Sequence, residues 1–142
     1  MHSVRDILKH KNGELWSVAP GESVLEAVRE MARRGVGALL VMQDGHLEGI
    51  LSERDYARKV ILQGRRSEST TVGEIMSRQV ISIHPDTMAR QGLELMTQKF
   101  IRHLPVLEDG RVVGVVSIGD LVKSVIQEQQ STIEELERYV TG

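Results

Sequence analysis

Short apolar runs alternate with amphipathic stretches along the chain, and the runs come in the same order in both halves. The first runs, LWSVA (15–19) and VISI (80–83), each lead into a proline. Proline cannot donate a hydrogen bond to a sheet, so a short apolar run closed by proline predicts a strand that ends there.

An amphipathic helix is predicted after each of these strands. In the first half, Val24, Val28 and Met31 share one face of a 3.6-residue period, and charged residues occupy the opposite face. The second half repeats this spacing less cleanly, through Met88, Gly92, Leu95 and Met96. Each half therefore predicts a helix with one buried face.

Two further apolar runs in each half flank an Asp-Gly pair. ALLVM and LEGIL surround Asp44-Gly45, and HLPVL and VVGVV surround Asp109-Gly110. Asp-Gly between apolar runs predicts a two-residue hairpin, because the turn needs positive φ. Each return strand leads into a second helix, from Ser52 to about Leu62 and from Ser117 onward.

The two halves match at a constant offset, which indicates an internal duplication. Gly49 and Gly114 are 65 positions apart, and the same offset joins Ser17 to Ser82, Pro20 to Pro85, Met31 to Met96, Leu39 to Leu104 and Val41 to Val106. VRDIL (4–8) resembles VGEIM (72–76) further upstream. The repeats therefore run over 4–62 and 72–126, joined by the polar linker QGRRSEST.

One repeat alone is too small to bury enough apolar surface for a stable fold. We therefore predict an α+β fold in which two pseudo-symmetric β-α-β-β-α lobes pack on each other through their sheets, with two related clefts between them. Residues 127–142 extend the last helix beyond the second repeat.

Composition narrows the function further. The 142 residues include no cysteine, which excludes disulfides, thiol catalysis and thiolate metal sites. The net charge of −2 argues against a nucleic-acid partner, and no apolar run is long enough to span a membrane. The histidines lack metal-ligand spacing, so no metal is expected. We expect a soluble, cytoplasmic protein.

The motif Gly-x-x-Ser-x-x-Asp recurs as GILSERD (49–55) and GVVSIGD (114–120). Ser-x-x-Asp at a helix start is typical of a capping box, which is a purely structural role. A second interpretation starts from the unpaired N–H groups of a helix start, which suit a polar ligand, and from the glycine, which lets a ligand approach the backbone. An aspartate there is a good acceptor for a ribose diol. This interpretation predicts a nucleoside whose sugar contacts Asp55 or Asp120.

Arg102 and His103 precede a buried strand and can bind phosphate, although a solvated strand end is the alternative. The matching positions in the first repeat are Gly37 and Ala38, and Arg54 is a nearby substitute. The two sites should therefore be unequal, with the main site in the second repeat.

The duplicated unit, with Pro, Met, Asp-Gly and G(I/V)(L/V)S-x-x-D in the same order twice, resembles a tandem pair of cystathionine-β-synthase (CBS) domains of the stand-alone bacterial type. The resemblance covers about residues 4 to 126 and implies a regulatory module that binds an adenosine ligand such as AMP, ADP, ATP, S-adenosylmethionine or NAD(H). It also implies a homodimer and no catalytic activity or catalytic cofactor.

The resemblance also implies site residues. In the main site, Ser117 and Asp120 would contact phosphate and ribose, Arg102 and His103 phosphate, and Ile81 and Ile83 adenine. In the second site the candidates are Ser52, Arg54, Asp55 and Val18.

The C-terminal residues 121–140 carry an apolar stripe at spacings of three and four, which predicts a helix. Its members are Val122, Val125, Ile126, Gln129, Ile133, Leu136 and Val140. The helix either folds back on its own lobe, packs across a dimer or binds a target protein. The competing function for the whole chain is a protein-interaction or dimerisation module with a structural ligand or none.

Overall fold

The computed structural model describes residues 2–11 and 15–141. They form two compact units, one from Leu15–Val80 and the other from Met1–Glu14 together with Ile81–Gly142. Helices and two small sheets are mixed along the chain, which confirms the predicted α+β class. The elements in chain order are α1 (Val4–Lys9), β1 (Ser17–Val18), α2 (Val24–Arg34), β2 (Ala38–Gln43), β3 (His46–Ser52), α3 (Glu53–Tyr56), a π-helical segment (Ala57–Ile61), α4 (Val72–Ile75), α5 (Ala89–Lys99), β4 (His103–Glu108), β5 (Arg111–Ser117) and α6 (Ile118–Thr141).

The unit of residues 15–80 contains a three-stranded sheet in the order β1-β2-β3. Strand β2 runs parallel to β1 and antiparallel to β3. The hairpin between β2 and β3 turns at Asp44 and Gly45, whose φ angles of 51° and 79° confirm the predicted positive-φ turn. Helix α2 covers the sheet with the face predicted from the sequence, because Val24 and Met31 are buried in this core.

The unit of residues 81–142 repeats this plan with a shorter sheet. Strands β4 and β5 form an antiparallel hairpin that turns at Asp109 and Gly110, again with positive φ. The strand predicted over 80–83 is reduced to one parallel bridge between Ile83 and Val106. The Ile83 N–H donates to Pro105 O at 3.0 Å and its carbonyl accepts from Leu107 N–H at 2.9 Å, so pairing stops just before Pro85.

Each unit includes a short helix that precedes the other repeat in sequence. Val4 of α1 is fully buried in the core of the 81–142 unit, where its N–H donates to Thr87 O at 2.8 Å. Val72 of α4 is fully buried in the core of the 15–80 unit, and its N–H donates to Glu22 O at 2.9 Å. The leading segments VRDIL and VGEIM therefore complete cores formed by residues from elsewhere in the chain.

Helix α6 extends beyond its unit. Leu121 and Ser124 are buried in the first turns, whereas every residue from Gln129 to Thr141 is exposed. The fold-back alternative for this tail is therefore wrong, because a helix folded onto its own lobe would bury one face.

Candidate functional site

The strand-to-helix junction at the end of β5 holds the second Ser-x-x-Asp motif. The Ser117 N–H donates to Asp120 Oδ2 at 2.8 Å, and the Asp120 N–H donates to Ser117 Oγ at 3.1 Å. These reciprocal bonds satisfy backbone donors at the start of α6. The capping interpretation of the motif is thus confirmed, and the question is what else the carboxylate can bind.

Asp120 also forms an ion pair with a lysine from the N-terminal segment. Lys11 Nζ donates to Asp120 Oδ2 at 2.7 Å and to the Val115 carbonyl at 2.9 Å. Partial burial raises the pKa of Asp120, but the hydrogen bonds from Lys11 and the Ser117 backbone outweigh it and hold that pKa below its ordinary value. The carboxylate is therefore ionised at neutral pH, and its side chain is 25% exposed.

The β4–β5 hairpin places two predicted phosphate ligands at this same junction. His103 is the cross-strand partner of Ser117, and it is half-buried. The carbonyl of exposed Arg102 accepts from the Ile118 N–H at 2.9 Å, which fixes this residue beside the first turn of α6. The structure thus brings the backbone of Arg102 and His103 to the junction that holds Ser117 and Asp120.

An open cavity of about 350 Å³ lies between α1 and the first turns of α6. Among the described residues that line it, Asp120 is the one that the sequence predicted. The other lining residues are His2, Asp6, Ile7, His10, Lys11, Lys123, Ser124 and Gln127. Sequence reasoning missed Lys11 because 109 positions separate it from Asp120 and no local pattern links them.

The first-repeat junction uses the same cap with a more enclosed acid. Ser52 donates to Asp55 Oδ2 from both its N–H and its hydroxyl at 3.0 Å, and the Asp55 N–H donates to Ser52 Oγ at 3.1 Å. Asp55 Oδ1 receives Lys59 Nζ at 3.2 Å and Ser77 Oγ at 3.4 Å. Both oxygens are engaged and the side chain is 12% exposed, so this acid is less accessible than Asp120.

The remaining predicted residues lie in different surroundings. Arg54 is exposed on α3. Val18 and Ile83 are buried in the cores of their units, and half-buried Ile81 packs against the same core as Ile83. An adenine ring that contacts these positions would meet mainly their backbone.

The glycines of the motif have a packing role that corrects the sequence interpretation. A Cβ on Gly49 would lie 2.7 Å from the Ser77 carbonyl oxygen, and one on Gly114 would lie 2.5 Å from Leu8 Cδ2. The space beside each strand is therefore filled by the chain itself and not left for a ligand. A neighbouring backbone packs on Gly49, whereas the flexible end of a side chain packs on Gly114.

The described residues form neither a cluster that could hold a metal ion nor a helix that could cross a membrane. Within 2–11 and 15–141, no three His, Cys, Asp or Glu side chains lie close enough together to hold a metal ion. In the same part of the chain, no helix combines the length and apolar character needed to cross a membrane.

Comparison with known proteins identifies the repeats. The CBS domain family model matches residues 4–61 and 72–127. CBSX3, a mitochondrial CBS domain-containing protein of Arabidopsis thaliana, is 39% identical over an alignment that covers 99% of this chain and 72% of the relative.

Solved structures share the fold. The CBS-domain protein ATU1752 from Agrobacterium tumefaciens superposes with a TM-score of 0.83 at 35% identity, covering 87% of this chain and 98% of that one. The CBS domain pair of protein MJ0100, solved in complex with 5′-methylthioadenosine and S-adenosyl-L-methionine, has a TM-score of 0.78 at 27% identity and covers 89% and 98%.

Proposed function

Because the chain belongs to the CBS domain family and carries two copies of the domain in tandem, we propose that it is a regulatory module that binds an adenosine-containing ligand. CBS pairs can bind such ligands, as the MJ0100 complex shows for that protein. The ligand class proposed for this chain is AMP, ADP, ATP or NAD(H), and its binding would alter how the module acts on a partner protein. The proposed role is sensing, without catalysis.

The carboxylate of Asp120 is the observation that carries this proposal. It is ionised, it lines a cavity, and its described hydrogen bonds use Oδ2. An ionised carboxylate offers about four lone-pair positions, so capping of α6 leaves acceptor capacity for two ribose hydroxyls. A cis-diol is the part of a ribonucleoside that an acidic residue binds best.

Cationic side chains near Asp120 suit the phosphate part of the ligand. Arg102 and His103 lie at the strand-to-helix junction, and Lys11 lines the cavity. Arginine offers a planar fork to phosphate oxygens, and lysine a mobile point charge. These cations favour a nucleotide over the free nucleoside.

The second site, at Ser52, Arg54, Asp55 and Val18, is proposed as the weaker of the two. Asp55 is more buried than Asp120, and both of its oxygens already accept hydrogen bonds. A ligand there must displace Lys59 or Ser77 before it reaches the carboxylate.

The wider setting of the module is also a proposal. We expect the protein to work as a homodimer in the cytoplasm and to act on an unidentified target protein. The competing function is an interaction module with a structural ligand or none. It has the same fold, but it predicts that no adenosine nucleotide produces heat or a Tm shift.

Calorimetry and thermal shift with AMP, ADP, ATP, NADH and S-adenosylmethionine test the ligand class, with GMP as the control for the base. At least one adenosine ligand should release heat and raise the Tm. Asp120→Asn should weaken that ligand about tenfold or more, because a hydrogen bond to a charged group is lost. Asp55→Asn should have a smaller effect.

The matched control is Asp109→Asn, which neutralises an acid of the same unit in the β4–β5 turn, where Asn-Gly is equally suitable. Arg102→Ala should weaken AMP far more than adenosine. If Asp120→Asn folds normally and binds like wild type, the site assignment is wrong. If no adenosine ligand produces heat or a Tm shift, the interaction module is the better description.

A further inference from the structure

The second half of helix α6 has no packing within the part of the chain that the structure describes. From Gln129 to Thr141 every residue is exposed. Isolated helices shorter than about 12–15 residues are only marginally stable in water. The exposed half of α6 would therefore be stabilised by a surface that covers one of its faces.

The exposed residues of α6 form a heptad pattern. Val122, Ile126, Gln129, Ile133, Leu136 and Val140 follow each other at spacings of 4, 3, 4, 3 and 4 residues. Ile126, Ile133 and Val140 fall at heptad position a, and Val122, Gln129 and Leu136 at position d. The apolar members are large and open to solvent, with Ile126 58%, Leu136 59% and Val140 81% exposed. This stripe over residues 122–140, which we call the α6 seam, has the geometry of a coiled-coil surface.

We propose that the α6 seam pairs with the same seam of a second copy of this chain, with the two helices antiparallel. In one register every seam residue faces a seam residue of the second copy. Val122 faces Val140, Ile126 faces Leu136, and Gln129 faces Ile133. Each contact occurs twice, because residue i meets residue j and j meets i across a two-fold axis. A surface that complements itself throughout is best explained by a second copy.

Charge next to the seam selects the antiparallel orientation. Lys123 and Glu137 both occupy heptad position e, and an antiparallel pair places position e of one helix beside position e of the other. Lys123 then faces Glu137 of the second copy on both sides of the axis. On the opposite flank, Val125 faces Tyr139, which is 88% exposed in the single chain. A parallel pair would instead place Glu137 beside Thr132, with no opposite charge.

Gln129 adds specificity to the register. In the antiparallel pair the two Gln129 side chains lie in the layers next to the two-fold axis, where their amides can hydrogen-bond to each other. A single polar residue in a coiled-coil core fixes register and partner number at some cost in stability. A shift by one heptad would separate the two amides and break the Lys123–Glu137 pairs.

This pairing specifies the surface of the homodimer in the proposed function, and it does not depend on nucleotide binding. Sedimentation equilibrium without nucleotide is therefore the direct test. Wild type should be a dimer, and Ile133→Asp should raise its dissociation constant about 100-fold, since it buries an unpaired charge in a central layer. Ser131→Asp adds the same charge on the outer face of α6 and should change the constant less than about threefold. Ile133 is exposed in the single chain, so its substitution should leave the circular dichroism of the two units unchanged.

Charge reversal tests the orientation. Lys123→Glu and Glu137→Lys should each raise the dissociation constant several-fold, and the double variant should restore it. Glu135→Lys, on the outer face, is the control for net charge. No restoration in the double variant would overturn the antiparallel arrangement.

Introduced thiols give an independent readout, because the chain has no cysteine of its own. The double variant Ile126→Cys/Leu136→Cys should form a covalent dimer under mild oxidation, whereas each single variant should not. Rapid cross-linking of the single Ile126→Cys variant would show parallel helices and overturn the proposal. If Ile133→Asp stays dimeric with an unchanged constant, the copies associate elsewhere and the α6 seam is not their interface. Neither result would affect nucleotide binding by the module.

Discussion

At the scale of single residues, both motif aspartates combine a local and a long-range role. Asp55 and Asp120 cap their own helices, and each also pairs with a lysine that donates to a backbone carbonyl, Lys59 to Ile75 O and Lys11 to Val115 O. Lys59 comes from the same helical stretch as Asp55, whereas Lys11 follows α1. In both repeats a lysine therefore neutralises the aspartate, but the two lysines come from non-matching sequence positions. At Asp120 the lysine and the Ser117 N–H both use Oδ2, so the proposed ribose hydroxyls would approach Oδ1.

Removal of the Lys11 amino group should raise the pKa of Asp120. The folded-state pKa of this carboxyl is depressed, so its contribution to stability is present above the unfolded pKa and is lost as the pH falls through the folded one. In Lys11→Ala that contribution should be smaller at neutral pH and should disappear at a higher pH. Carboxyl ¹³C NMR titration of Asp120 measures the change directly.

Lys9→Ala is the matched control, because it removes a lysine of α1 without touching Asp120. An Asp120 titration that is the same in Lys11→Ala and wild type would contradict the ion pair.

At the scale of elements, both motif glycines lie where another part of the chain packs against a strand. Strand β3 is paired at Ile50 with Ser77, whose carbonyl accepts at 3.0 Å and whose N–H donates at 2.9 Å. Gly49 lies directly under this backbone crossing. Strand β5 is covered at Gly114 by a side chain, Leu8 of α1. The motif glycine therefore avoids a clash with a backbone in the first repeat and with a side chain in the second.

Substitution of each glycine by alanine should destabilise the protein to a different extent at the two positions. Gly49→Ala places a methyl group against a backbone carbonyl that cannot move without breaking its pairing, so it should destabilise the protein by about 1–3 kcal/mol. Gly114→Ala meets the flexible end of Leu8, which can change rotamer, so the loss should be below about 1 kcal/mol.

Urea unfolding of both variants measures the difference, and Gly21→Ala serves as control because a Cβ there meets nothing within 4 Å. Equal losses for Gly49→Ala and Gly114→Ala would contradict the distinction between backbone and side-chain contacts.

At the scale of the whole molecule, each unit depends on a helix that is distant in sequence. Helix α1 belongs to the unit of residues 81–142, and α4 closes the unit of residues 15–80. Val4 and Val72, at the starts of these helices, are both completely buried. Helix α1 (Val4–Lys9) is therefore a structural part of the unit that carries the main candidate site.

Truncation of these two valines should weaken different units. Val4→Ala should reduce the stability of the 81–142 unit by about 2 kcal/mol, and Val72→Ala should do the same to the 15–80 unit, because each removes buried methyl groups. Hydrogen exchange followed by mass spectrometry should show faster exchange mainly in the unit that holds the substitution.

The two variants control each other, since they make the same change at matching positions. Loss of protection in 15–80 after Val4→Ala, with 81–142 unchanged, would contradict the assignment of α1.

Much of the local structure was readable from the sequence because its causes lie within a few residues. Asp44-Gly45 and Asp109-Gly110 predicted the hairpins, since the turn conformation depends on those residues alone. The Ser52–Asp55 and Ser117–Asp120 caps were predicted for the same reason, as both partners lie three positions apart. The strand over 80–83 was predicted too long, because strand length depends on a neighbour that only the fold supplies.

The sequence by itself determined the duplication, the order of the main helices and strands, and the two Asp-Gly hairpin turns, because these features depend on local preferences that both halves of the sequence repeat. The tertiary structure alone decided that α1 joins the 81–142 unit, that Lys11 binds Asp120, and that Gly49 and Gly114 accommodate neighbouring segments. These contacts join residues far apart in the chain, and their free energy comes from burial and charge pairing that exist only after the chain has folded.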